Sequence, residues 1–195
     1  MCSNFIPSAF FPKDIIDYFF DKKDFLKEHK LASEKLWKHG KLVQGKLKLQ
    51  KMKVAFELTS LNIFLGKGLV HEAITNFEVS LLTRISVVEM MIQYIDSVVL
   101  IVEPTPFVFR LIPPNTVIID VDRNKSSQTI QGIVIENETV FANFQSEFNR
   151  LVSVSEKLID KNVLISELNK AKQTLRNGIK TVINVGELRK TITNN

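Results

Sequence analysis

VVLIVEPTPFVFRLIPPNTVIIDVDRNKSSQTIQGIVI, residues 98–135, decides the fold. Val98 to Val102 is an unbroken apolar run, the pattern of a strand covered on both faces. Glu103-Pro104-Thr105-Pro106 then turns the chain, because proline has no N–H to give to a ladder. Three more strand-like runs follow: Phe107 to Ile112, Thr116 to Asp122 and Thr129 to Ile135. Pro113-Pro114-Asn115 and the polar stretch Arg123 to Gln128 separate them, and such short links favour antiparallel neighbours for the last three. The expected fold class is therefore α+β, with a small, largely antiparallel sheet of about four strands within 98–135.

Helical spacing appears on either side of these strands. Between Ser80 and Ile95, apolar residues return every three or four positions (Leu81, Leu82, Ile85, Val88, Met91, Ile92, Ile95), which predicts a helix. Asn137 is placed to cap a second one, whose Val140, Phe141, Phe144, Phe148, Leu151 and Val152 form a stripe suited to covering the sheet. Towards the amino terminus, Pro12 opens a helix carrying Ile15, Ile16, Phe19 and Phe20. Asp24 is placed to cap the next, with Leu31, Leu36 and Trp37, and Gly40 is expected to end it, giving a helical hairpin. Lys46 to Phe56 alternates like a strand or bulged ribbon. Beyond Ser153, Leu164, Leu168, Ala171, Leu175, Gly178, Val182 and Val185 recur at alternating spacings of four and three, the period of a coiled-coil seam. A long carboxy-terminal helix follows, with two readings open. Leu164, Leu168, Ala171, Leu175, Val182 and Val185 form a dimer seam, or the helix folds back on its own domain. The expected division is a lysine-rich helical region (1–56), an α/β sensor-like domain (57–155) and a carboxy-terminal helix that is a candidate for dimerisation (156–195).

With 195 residues, 45% of them hydrophobic, the chain can bury a core without disulfides. The single cysteine, Cys2, is expected in a flexible amino terminus and allows no internal bridge, which points to a reducing, cytoplasmic setting. Pro7, Pro12, Lys13 and Asp14 interrupt the aromatic start, so no export signal is read. Glu103, Pro104, Pro106 and Arg110 break the most apolar stretch, so no membrane span is expected.

The net charge of +5 is unevenly spread. Between Lys22 and Lys53, eleven lysines face only Asp24, Glu28 and Glu34, an excess of eight positive charges that leaves the remainder near minus three. This makes Lys22, Lys23, Lys27, Lys30, Lys38, Lys41, Lys46 and Lys48 candidate phosphate contacts, the alternative being a solvated helix face. The stretch has no arginine, so it would hold backbone phosphates rather than read bases.

Catalytic patterns fail on particular residues. His39-Gly40-Lys41 opens like a His-x-Lys-x4-Asp phosphodiesterase signature, but Lys46 stands where the aspartate belongs. Asp120-Val121-Asp122-Arg123-Asn124 opens like a calcium loop, but Lys125 replaces the turn glycine and Gln131 the bidentate glutamate. Glu103, Asp120 and Asp122 read as solvent-facing carboxylates. His29, His39 and His71 lack zinc spacing, and Gly66-Lys67-Gly68 lacks the rest of a phosphate loop. No catalytic residue, metal or cofactor is expected.

Several phrases between about Leu61 and Leu158 resemble the carboxy-terminal, non-DNA-binding region of bacterial Xre-type (Cro/cI-type) helix-turn-helix transcriptional regulators. They are Asn62-Ile63-Phe64-Leu65-Gly66-Lys67-Gly68, Phe77-Glu78-Val79-Ser80-Leu81-Leu82-Thr83-Arg84-Ile85, Val98 to Val102, Pro106-Phe107-Val108-Phe109, Val117-Ile118-Ile119-Asp120, Gly132-Ile133-Val134-Ile135 and Phe141 to Leu151. The region is also similar to one half of a phospholipase-D-like fold used as a sensor without its catalytic signature. The resemblance implies a sensing or dimerising part of a transcriptional regulator and no catalytic residues. Such regulators begin with a helical DNA-binding domain, which the first 60 or so residues here do not match. The expected partners are a second copy of the chain, and DNA or a DNA-binding protein; the alternative functions are a nucleic-acid-associated protein binding phosphates through Lys22 to Lys53 and, behind it, a phosphodiesterase-like enzyme.

Overall fold

The computed structural model describes residues 2–3, 8–13, 15–17, 28–69, 78–102, 108–122 and 131–188. Its centre is a six-stranded sheet of β1 (Cys2–Ser3), β2 (Val54–Glu57), β3 (Val98–Ile101), β4 (Val108–Ile112), β5 (Thr116–Asp122) and β6 (Gln131–Glu136), in the order β3-β2-β1-β4-β5-β6. β1, β2 and β3 are parallel, with Ala55 beside Cys2 and Val98 beside Val54. β4, β5 and β6 form an antiparallel meander that joins the parallel part through Cys2 beside Phe109. The α+β class and the antiparallel arrangement of the last three strands are as the sequence implies. Two features differ from expectation. β3 does not pair with β4, because β2 and β1 lie between them. Cys2 is not in a loose end: its backbone is paired on both sides.

Among the described residues, the helices packed around the sheet include α1 (Glu28–Lys48), α2 (Leu58–Lys67), α3 (Leu81–Gln93), α4 (Glu138–Leu158), α5 (Lys161–Arg176) and α6 (Val185–Leu188). Gly40 does not end α1 but lies within it. A Cβ at Gly40 would stand 3.4 Å from the Cα of Ala9, so the glycine lets the amino-terminal segment pack closely. One turn later the Gln44 side chain donates to the Ala9 carbonyl at 2.6 Å. Leu47 is buried one turn after Val43, so the apparent strand alternation through Leu47 is helix spacing. The chain reverses at Gln50, with φ of 53°, and only then enters β2. Of the expected first helix, residues 13 and 15–17 are helical, with Ile15 and Ile16 buried. Phe19, Phe20 and the expected cap Asp24 lie outside the described residues.

Side-chain alternation divides the interior into two layers. Val54, Phe56, Val98 and Leu100 join the larger core with α1, α2, α3 and α5, whereas Ala55, Val99, Ile101, Phe109 and Val117 lie under α4. Asn137 caps α4 as its type predicts, accepting from the Val140 N–H at 3.0 Å. Phe109 meets Phe144 edge-on at 5.1 Å between ring centres, and Phe148 at 6.4 Å.

The carboxy-terminal region departs furthest from its seam-like pattern. α4 ends at Leu158, Asp160 caps α5 by accepting from the Asn162 and Val163 N–H groups, and α5 ends at Arg176, just before Gly178 at positive φ. Leu164, Leu168, Ala171 and Leu175 are buried in the chain's own larger core, where α5 packs along α3. These four are not free to form a dimer seam: a helix stripe satisfied by its own domain has no apolar face left for a copy. Val182 is exposed on the segment after α5, and the side chain of Val185 lies outside the described residues. β1 and β2 belong to the common sheet, and one core cluster runs from Ala9 to Leu188.

Candidate functional site

The lysine-rich candidates are only partly within the described residues. Lys22, Lys23 and Lys27 lie outside them, and Lys30 is on α1 with its side chain outside. Lys38, Lys41, Lys46 and Lys48 are exposed, as is Lys35. They spread over the exposed surface of α1, whereas Val43 and Leu47 face the core. Lys41 sits over the Trp37 ring, 4.4 Å from its centre, so one of these lysines is partly occupied by a cation–π contact. No group of three or more His, Cys, Asp or Glu able to hold a metal gathers among the described residues. Glu103, His71 and the loop after Asp122 lie outside them, as do the side chains of Asp120 and Asp122.

A buried cluster built on Arg84 escaped the sequence reading, which quoted Arg84 and Gly68 only as parts of phrases. Arg84 is 1% exposed. Its Nε and Nη2 donate to the Val79 carbonyl, its Nη1 to the carbonyls of Leu65 (3.0 Å) and Gly66 (3.4 Å), and its Nη2 to Glu78 Oε1 (2.6 Å). The guanidinium thus satisfies carbonyls at the carboxy-terminal end of α2, where a cation is favoured by unpaired C=O groups and the helix dipole. Gly68 makes room for it. At φ of 71°, a Cβ there would lie 2.2 Å from Arg84 Nη2. Lys180 also reaches Glu78 at 3.1 Å, and the two cations hold the Glu78 carboxyl below its ordinary pKa, Lys180 foremost. Next to this cluster, Asn62 clasps the chain after α5: its Nδ2 donates to the Ile183 carbonyl (2.9 Å) and its Oδ1 accepts from the Ile183 N–H (2.7 Å). These contacts are structural, and the signal that could have found them is the lone basic residue of a largely apolar helix, paired with a glycine that ends the previous one.

The outer antiparallel half has a different surface. Across β4, β5 and β6, Phe109, Ile119 and Ile133 form one row, and Arg110, Ile118 and Val134 the adjacent row on the other face. α4 covers the first face, but Ile133, in the outermost strand, is still 51% exposed. On the second face Val134 is 60% exposed, and Ile112 is 48% exposed. β6, Gln131-Gly132-Ile133-Val134-Ile135-Glu136, is the last strand of the described sheet and carries neither lysine nor proline.

No family model, curated protein or solved structure matches the chain.

Edge strands usually protect themselves with lysine, proline or a bulge on the open side. The bulge present here, between Asp120 and Asp122, lies at the far end of the β5–β6 pairing and leaves Gly132 to Glu136 regular. No helix among the described residues is long and apolar enough to cross a membrane. The geometry offers an apolar strip, two residues deep on opposite faces, along a strand whose outer hydrogen-bonding groups have no strand partner among the described residues.

Proposed function

We propose that this chain is a non-catalytic regulatory module, the sensing and dimerising part of a transcriptional regulator of the Xre type, that works by association rather than bond-breaking. The observation that carries the reading is the outer strand β6, with Ile133 and Val134 exposed on opposite faces. A second copy of the same strand is the partner that fits. In an antiparallel two-fold pairing centred on Val134, that residue meets its own mate, Ile133 meets Ile135, and Glu136 meets Gly132, so no like charges face each other. The pairing also extends the aliphatic rows on both faces. Dimerisation thus moves from the carboxy-terminal helix, whose stripe is consumed internally, to the sheet edge.

Light scattering on the full chain tests this. A dimer that becomes a monomer in the double variant Ile133→Lys and Val134→Lys, with the circular dichroism spectrum retained, is the expected result; a monomeric wild-type chain at tens of micromolar refutes it.

The exposed lysines of α1 support a second reading, a salt-sensitive contact with the phosphates of a nucleic acid. Duplex DNA binding that weakens steeply between low and moderate salt, and weakens further on replacing Lys38, Lys46 and Lys48 by glutamine, is expected on that reading. Absence of binding at low salt removes it.

A further inference from the structure

α4 and α5 lie on opposite faces of the sheet, so the link between them, Ile159 and Asp160, passes around the edge strand β3. A cavity of about 110 Å³ sits under that link, walled by β3 residues Val98 to Leu100 and by Ile95, Ser155, Ile159 and Leu164. Its floor is buried and mostly aliphatic. The outer lining is charged: Asp96 pairs with Lys161 across the opening, and Glu156, also of the lining, pairs with Lys53 at 2.6 Å. These four side chains are roughly half exposed.

One polar group in the floor is unexplained. Ser155 is 3% exposed and, among the described residues, its hydroxyl has no hydrogen-bond partner. A serine in a helix ordinarily bonds back to the carbonyl four residues earlier or points to water. A buried hydroxyl without a partner is costly, on the order of 1–3 kcal/mol, and calls for a group that completes it.

We infer that this cavity is a binding site for a small, neutral, largely aliphatic molecule carrying one hydrogen-bonding head, such as a hydroxyl or carboxamide, which pairs with Ser155. Neutrality follows from the lining, since both acids there are already matched by lysines and the floor offers no counter-charge for a buried ion. Size follows from volume: a cavity of about 150 Å³ takes benzene, so this smaller, partly open one holds roughly five heavy atoms. The occupant touches β3, α4 and α5 together, wedged beneath a link held down by two ion pairs. It would therefore shift α4 and α5 relative to the sheet, which gives the proposed regulatory module its signal. Only that consequence rests on the regulatory reading, and occupancy of the site is independent of whether the chain dimerises.

The test is a titration of the full chain, with methyl groups of Ile, Leu and Val labelled, by isobutanol and by isobutyramide, followed by NMR. Saturable shifts are expected at Ile95, Val99, Ile159 and Leu164, whether the protein is monomer or dimer. Ser155→Ala should weaken binding about 2- to 10-fold, the worth of one hydrogen bond. Ile95→Trp should narrow the cavity from its half-buried side and abolish the saturable shifts, which keeps the test open should Ser155→Ala fail to fold. Shifts that rise linearly without saturating, or that are the same in wild-type, Ser155→Ala and Ile95→Trp proteins, overturn the site.

Discussion

The two halves of the sheet are built to different rules. The parallel half is covered on both sides: every residue of β3 is buried, with Val98 and Leu100 facing the larger core and Val99 and Ile101 facing α4. The antiparallel half is covered on one side and at its margin exposes Ile112, Ile133 and Val134. Parallel strands need crossover helices, and those helices close both faces, whereas a meander needs only tight turns and can leave a face and an edge open. The closed half therefore holds the stability and the open half the surface for association.

The largest expected effect separates the two directly. Leu168→Ala, in the fully buried stripe of α5, should destabilise the fold by about 2–5 kcal/mol, whereas Val134→Ala should change it by less than about 0.5 kcal/mol. Urea unfolding monitored by circular dichroism measures both, and comparable losses would dissolve the distinction between a structural and an open half.

Next in size is the Arg84 cluster that ties α2 to α3 behind the parallel strands. Arg84→Met strands the carbonyls of Leu65, Gly66 and Val79 and should cost about 3 kcal/mol. Gly68→Ala should act in the same direction, because its Cβ would occupy the guanidinium's space at a backbone conformation few side chains adopt. Unfolding midpoints equal to wild type would show that the cluster does not hold the closed half.

A smaller effect concerns acid. Lys180 and Arg84 lower the Glu78 pKa in the folded chain, so its contribution to stability is complete above the ordinary carboxylate range and is lost as pH falls through the depressed value. Stability should therefore fall on acidification, and Glu78→Gln should flatten part of that fall in denaturation midpoints measured from pH 7 to pH 3. The smallest effect is expected at Gly45, exposed within α1, where a Cβ meets no atom within 4 Å. Gly45→Ala should stabilise the chain by about 0.5–1 kcal/mol in the same urea assay.

Much of the outer half was legible in the residues. Val108 to Ile112, Thr116 to Asp122 and the run ending at Ile135 announce strands through β-branched residues bounded by prolines and polar turns, and Asn137 announces the start of α4. The inner half was harder. Cys2–Ser3 is too short to show a pattern, and Leu47 near the end of α1 and Leu49 in the turn after it together mimic a strand. The Ser155 cavity had no sequence signature, since nothing in the spacing of Ile95, Ser155 and Leu164 indicates that three separate elements meet.

The sequence by itself determined the outer strands, the helices α3 and α4, the cap at Asn137 and the stripe on α4, because each depends on neighbours within a few residues along the chain. Only the tertiary structure decided that β2 and β1 separate β3 from β4, that the seam-like stripe of α5 turns inward against α3, and that β6 is left open. Periodicity shows that a face is apolar, but what covers that face depends on chain-distant contacts whose free energy is shared among all the elements that meet there.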